Sequence, residues 1–185
     1  MLKMLSKTQQ ETESGLIQVL QVVCASLALA LVSQIAIPLP FTPVPLTLQT
    51  LAIYGIALGL GPKKGVAAVL LYLVQGTMGL PVFAGGLAKP LWMISPHAGY
   101  LFGFVAATWV LGKLAERRPS ASILETFFIL SLGDALILTL GATFLALFVG
   151  PSQAFFLGIA PFALGSLLKI SCATAITKFI NNMRG

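Results

Sequence analysis

Charge is what this sequence has least of. Lys, Arg, Asp and Glu together make up 9% of its 185 residues, against roughly 25% in a soluble globular domain. So little charge beside 57% hydrophobic residues excludes a soluble domain and indicates a polytopic membrane protein. The other scarcities narrow the chemistry. One histidine and two cysteines, with Cys24 and Cys172 both inside apolar runs, leave no metal spacing and no disulfide framework. There is no phosphate loop, no Ser/His/Asp set and no Glu within a span. Neither an enzyme nor an ATP-hydrolysing chain is therefore expected, and no cofactor. The net charge of +6 is scattered between apolar runs and forms no patch for nucleic acid; it reads as membrane topology.

Lys3 and Lys7 before the run Leu16–Ile37, with Ala28-Leu29-Ala30 inside it, faintly imitate a secretory leader. The run is too long for one and more spans follow, so a retained first helix is expected. Closely spaced prolines at 38, 40, 43 and 45 end it. Helix 2 is predicted from Pro45 to Gly61-Pro62, helix 3 from Gly65 to Gly79, with Lys63-Lys64 as a tight basic turn. The following stretch, Gly79–Phe104, is rich in glycine, proline and aromatics. Such backbone cannot cross hydrocarbon, because its N–H and C=O groups would lack partners there. It is expected to form a lid over a small-molecule site. Helix 4 is predicted over His97–Leu114, helix 5 over Ile123–Val149 and helix 6 over Pro161–Ile180, with a short interfacial segment at Ser152–Ala160.

The expectation is an all-α protein: one six-helix transmembrane domain, residues 1–185, with Pro/Gly-rich outer loops. With both termini cytoplasmic, the inner segments hold Lys3, Lys7, Lys63, Lys64, Lys113, Arg117, Arg118, Lys178 and Arg184. Of the eleven basic residues, only Lys89 then lies outside and Lys169 within a span, a strong positive-inside asymmetry.

Asp134 and Lys169 fall inside spans, where a central charge costs at least about 2.5–3.5 kcal/mol and usually faces a protein interior. Either the two pair structurally across neighbouring helices, or Lys169 hydrogen-bonds a polar ligand. Ser166, one turn before Lys169, shares a small, polar face with Phe162, Gly165, Cys172 and Ala173. Gln49 offers a donor and an acceptor, as interhelical glue or as a ligand contact. Lys89 either attracts an anion or is a solvated loop charge. Phe83 and Tyr100 flank glycines that permit close backbone approach and suit a pocket wall. His97 reads as a helix-start residue, and Trp92 and Trp109 as interfacial anchors. Small residues four apart recur at Cys24/Ala28, Ser26/Ala30, Gly55/Gly59 and Gly99/Gly103. Such spacing mostly serves internal packing, but the helix 1 stripe could dock another membrane protein. The candidate ligand-binding set is Gln49, Phe83, Gly85, Lys89, Tyr100, Asp134, Ser166 and Lys169.

Four segments carry a resemblance: 43–50 (PVPLTLQT), 79–86 (GLPVFAGG), 96–104 (PHAGYLFGF) and 161–169 (PFALGSLLK). In this order and spacing they resemble the BioY family, the biotin-binding S components of energy-coupling factor (ECF) transporters. The resemblance implies six membrane helices that capture biotin near the outer face, using helices 4 to 6 and the outer loops. It implies as partners a transmembrane coupling subunit (the T component) and two cytoplasmic ATPases, with Cys24, Ser26, Ala28 and Ala30 facing the coupling subunit. It places the chain in the cell membrane and matches Gln49, Tyr100 and Lys169 to family binding positions. The family usually has Asp where this chain has Ser166. Asp134 is proposed to take over that acceptor role beside Lys169, and Lys89 to meet the biotin carboxylate. The alternative is a self-sufficient ion-coupled carrier for biotin or a related small carboxylate. Asp134 would be its sole coupling acid, and the repeated broken helices such carriers use are not seen.

Overall fold

A computed structural model describes residues 2–86 and 88–184, with side chains for 15–86, 88–180, 182 and 183. Leu87 of the lid, and the side chains of Lys3, Lys7 and Arg184 in the charge tally, lie outside the described residues. The chain is nearly all helical: α1 (Leu2–Ser33), α2 (Gln49–Thr77), α3 (Ala98–Arg117), α4 (Ile123–Val149), α5 (Pro151–Gly158) and α6 (Ala163–Arg184). Five helical segments are long and apolar enough to cross a membrane: Gly15–Ser33, Gln49–Thr77, Ala98–Arg117, Ile123–Val149 and Pro151–Ile180.

Helix 1 ends earlier than its hydropathy suggests. Ala36–Ile37 leaves the helix and pairs antiparallel with Leu46–Thr47 as strands β1 and β2, so the prolines sit in a hairpin loop and α2 starts at Gln49 rather than Pro45. The two helices expected on either side of Lys63-Lys64 form one kinked element, interrupted at Gly61 (φ 73°, ψ −177°). That region of backbone space is essentially restricted to glycine. Pro62 then opens the second arm, where its fixed φ suits a first helical turn. Lys63 and Lys64 are therefore helical and not a loop; Lys64 reaches Gln21 of α1 at 2.8 Å.

α3 is the central helix and packs on both α2 and α4. A Cβ on Gly103 would stand 2.9 Å from Ile137 Cα, and one on Gly112 2.5 Å from the Pro62 nitrogen. Glycine is what brings these backbones together. The second contact puts the Gly61 kink at the same end of the bundle as the C-terminus of α3, with Lys63, Lys64, Lys113, Arg117 and Arg118. The lid and the proline loop gather at the opposite end. α4 begins with a capping box, in which Glu125 N–H donates to Ser122 Oγ and Ser122 N–H to the Glu125 carboxylate. This Ser-x-x-Glu signal fixes the start of α4 at Ile123.

The helix 1 stripe is split. Ser26 and Ala30 are buried, and Ser26 Oγ donates to Gln75 of α2 at 3.2 Å. They cannot form a docking face, because they are already packed within the chain. Cys24 and Ala28 face outward, as do Gly55 and Gly59 of α2.

Candidate ligand cavity

The lid end of the bundle encloses a cavity of ≈ 390 Å³, within the ~300–1,000 Å³ of small-molecule sites. Four helices and two loops shape it. α6 contributes Ser166 and Lys169, one turn apart on its inward face, and Phe162 just before α6 lies beside them. α4 contributes Asp134 and Ile137, α3 Tyr100 and Phe104, and the first arm of α2 Gln49 and Thr50. The proline loop forms one wall and the lid, with Phe83, Gly85 and Lys89, another. All eight residues of the candidate set thus surround one space.

Their polar groups are not equally free. Lys169 is buried, and its Nζ makes one long hydrogen bond, 3.3 Å to the Thr47 carbonyl. An ammonium has three donors, so most of its capacity faces the cavity. Asp134 is also buried, with Oδ1 accepting from Tyr54 Oη at 2.5 Å. The structural pairing of Asp134 with Lys169 is not found. The ion pairs among the described residues are Lys113–Glu116 and Arg118–Glu125. Gln49 is committed on both sides: Nε2 donates to Tyr72 Oη at 2.7 Å and Oε1 accepts from Thr47 Oγ1 at 3.1 Å.

Tyr100 supplies wall. Its hydroxyl donates to the Gly158 carbonyl at 2.7 Å, its ring stacks obliquely on Phe162 at 6.2 Å, and any Cβ on Gly141 would collide with it. Phe83 anchors the lid by filling the space left by Gly76 and packing edge-on to Tyr72. Beside it Trp92 is buried, with Nε1 donating to Thr77 Oγ1 at 2.9 Å. Trp92 is thus packed inside the lid against Phe83 and is not a membrane-interface anchor. Trp109 remains half-exposed under the Lys113 ammonium.

His97 does more than start α3. Its Nε2 donates to the Pro43 carbonyl at 2.7 Å, joining the helix to the proline loop. A carbonyl only accepts, so Nε2 carries the proton and Nδ1 is left buried without a partner. Burial, and then the nearby Lys89 ammonium, hold its pKa below the usual histidine value, opposed by the Pro43 bond.

Tyr54, Thr50, the lining role of Pro38–Pro45 and the His97 latch are not evident from the sequence. Periodicity carries no sign of them. Only motif 43–50, which spans the proline loop and the start of α2, hinted that the two act together.

Long apolar helices around a mixed-charge cavity define a multi-pass membrane protein with a built-in small-molecule site. Comparison with known proteins agrees. The family model described as the BioY family matches residues 5–185, and the chain belongs to that family. It is 37% identical over 141 residues to the biotin transporter BioY of Thermotoga maritima, covering 76% of this chain and 82% of that one. It is 31% identical over 170 residues to the biotin transporter BioY of Rhizobium etli, covering 88% and 91%. Its fold is that of the S-component for biotin from an ECF-type ABC transporter, with TM-score 0.83 at 22% identity over 92% of this chain and 93% of that one.

Proposed function

We propose that this chain is the biotin-binding S component of an ECF-type uptake transporter, a single six-crossing domain in the cell membrane. The observation that carries this reading is the charge balance of the cavity. Its formally charged lining groups are Lys89, Lys169 and Asp134, two cations against one anion. One positive charge is left for a monoanionic ligand, as biotin is. Lys169 and Asp134 offer a donor and an acceptor to the ureido ring. Phe83, Tyr100 and Phe104 wall the valeryl chain, and Lys89 beside the lid meets the carboxylate. Ser166 and Gly85 complete the contact surface, and Gln49 holds the floor.

Six crossings follow from treating the arms of α2 as separate spans. The basic residues at the kinked end then mark the cytoplasmic side, with both termini there and the lid outside. Within the described residues no phosphate-binding loop is present; in this reading energy comes from two cytoplasmic ATPases, transmitted through a T component. Cys24 and Ala28 on the outward face of α1 suit the coupling subunit. Calorimetry of the detergent-purified chain tests the reading: tight biotin binding without turnover supports it, and no binding overturns it. Proton-driven biotin uptake by the chain alone in liposomes would make it a self-sufficient carrier.

A further inference from the structure

Beneath the cavity, Tyr54 is fully buried and takes no part in the lining. It stands one turn after Thr50 on the first arm of α2 and packs among Ala57, Leu111, Leu130, Ile170 and Ala173. Its hydroxyl donates to Asp134 Oδ1 at 2.5 Å, joining residues 80 positions apart. A carboxylate accepts on two oxygens. With Oδ1 accepting from below, Oδ2 is the oxygen left for the cavity, and the Tyr54 bond opposes rotation of the carboxyl group.

We propose that Tyr54 is a positioning residue that makes Asp134 a one-acceptor reader of the ligand head group. This rests on the biotin reading and deepens it. A ureido ring presents two N–H donors on either side of its carbonyl. With one oxygen free, Asp134 reads one of them, while the Lys169 ammonium serves as a donor in the same cavity. The site thus selects an anionic ligand whose cyclic head carries an N–H on the Asp134 side. A Phe at position 54 keeps the packing but frees Oδ1, so the carboxyl group turns and the selection relaxes.

The test uses the purified full chain with biotin and its two cyclic carbamates, in which one or the other ureido N–H is replaced by ring oxygen. Calorimetry on the unaltered chain is expected to show one carbamate rejected by about 100-fold relative to biotin, the cost of facing a carboxylate without a donor. In Tyr54→Phe that ratio is expected to fall about tenfold, and in Asp134→Asn it is expected to collapse, with Tyr54→Phe adding nothing further. A structural role alone would weaken all three ligands alike and leave the ratio unchanged in Tyr54→Phe, which overturns the proposal. Should Tyr54→Phe not fold, Tyr54→Leu, which also removes the hydroxyl, takes its place, and an undiminished ratio in it or in Asp134→Asn overturns the proposal. Failure of the unaltered chain to bind biotin would instead sink the vitamin reading itself.

Discussion

Gln49 and Tyr72, 23 residues apart on the two arms of α2, are hydrogen-bonded at 2.7 Å. In a straight α-helix they would be about 34 Å apart at ~1.5 Å per residue. The contact therefore requires α2 to turn back on itself, and Ile56 lying against Gly65 shows the same fold-back nearer the bend. The hairpin lets a short segment place Gln49 at the cavity floor and Tyr72 behind it, where Phe83 of the lid packs on its ring at 5.5 Å. Bend, floor and lid are thus mechanically linked.

Gly61→Ala attacks the bend. Alanine at φ 73°, ψ −177° costs on the order of 1–3 kcal/mol, and its Cβ would also press on Glu116 Oε1 at 3.2 Å. The apparent Tm of the detergent-purified variant is expected to fall by several degrees. Biotin affinity should fall with it, because the Gln49–Tyr72 register depends on the turn. Gly59→Ala, where an added Cβ meets nothing within 4 Å, is the control and should leave both unchanged.

Much of this architecture was legible in residue pattern. The bounds of α4 coincide with the apolar run between Ser122 and Gly150, because a capping box opens it and a positive-φ glycine closes it. Lys169 and Asp134 were legible as inward-facing because bare charge in a span has nowhere else to go. What could not be read is whatever depends on tertiary reach. Hydropathy continues through Ala36 and Ile37, so nothing local reveals that they leave the helix to pair with Leu46–Thr47. Tyr54 looks like any apolar-helix tyrosine until α4 brings Asp134 against its hydroxyl. The direction of the helix 1 stripe was likewise undetermined, since both Cys24/Ala28 and Ser26/Ala30 fit the same spacing and only packing on α2 chooses between them.

Lys169→Met keeps the stem and removes the ammonium. A charge-assisted hydrogen bond of about 1.5–3 kcal/mol is lost, and biotin affinity is expected to drop roughly 10- to 100-fold. The apparent Tm of the empty protein should hold or rise, since the one hydrogen bond of the buried cation, 3.3 Å to Thr47, is a weak offset to its burial. A calorimetric titration paired with a melting curve checks both signs.

His97 is the one histidine in the chain, the side-chain type whose ordinary pKa falls between about 5 and 7. Its folded-state pKa is held below the unfolded value, first by burial and then by Lys89. Between those two values the unfolded chain binds more protons, so stability rises with pH across that window. The contribution is present above the unfolded value and is lost as pH falls toward the folded one. The apparent Tm is therefore expected to decline on acidification from pH 7.5 to 5.5, and His97→Gln should flatten the decline.

Gly141→Ala tests the cavity wall. Its Cβ would overlap the Tyr100 ring, forcing that ring off the hydrogen bond to Gly158. Overpacking of this kind costs typically 1–3 kcal/mol, read as a lowered apparent Tm. Tyr100→Phe, which loses the hydroxyl but keeps the wall, should retain more biotin affinity than Gly141→Ala does.

The last expectation concerns which helix carries the acid. Ser166 lies one turn before Lys169 on the cavity face of α6, buried and small, whereas Asp134 reaches the same cavity from α4. If one carboxylate is what the ligand head requires, its helix of origin matters less than its presence. Asp134→Asn alone is expected to weaken biotin at least tenfold. Adding Ser166→Asp should restore much of that loss, because the new carboxylate stands i, i+3 from the ammonium and can both pair with it and face the cavity. Ser166→Asp in the unaltered background should weaken binding instead, since two carboxylates cancel both lining cations and leave no positive charge for the biotin carboxylate. Opposite signs for one substitution in two backgrounds, measured by calorimetry, would establish the exchange. Equal losses in both would show that Asp134 and the residue at 166 act on different parts of the ligand.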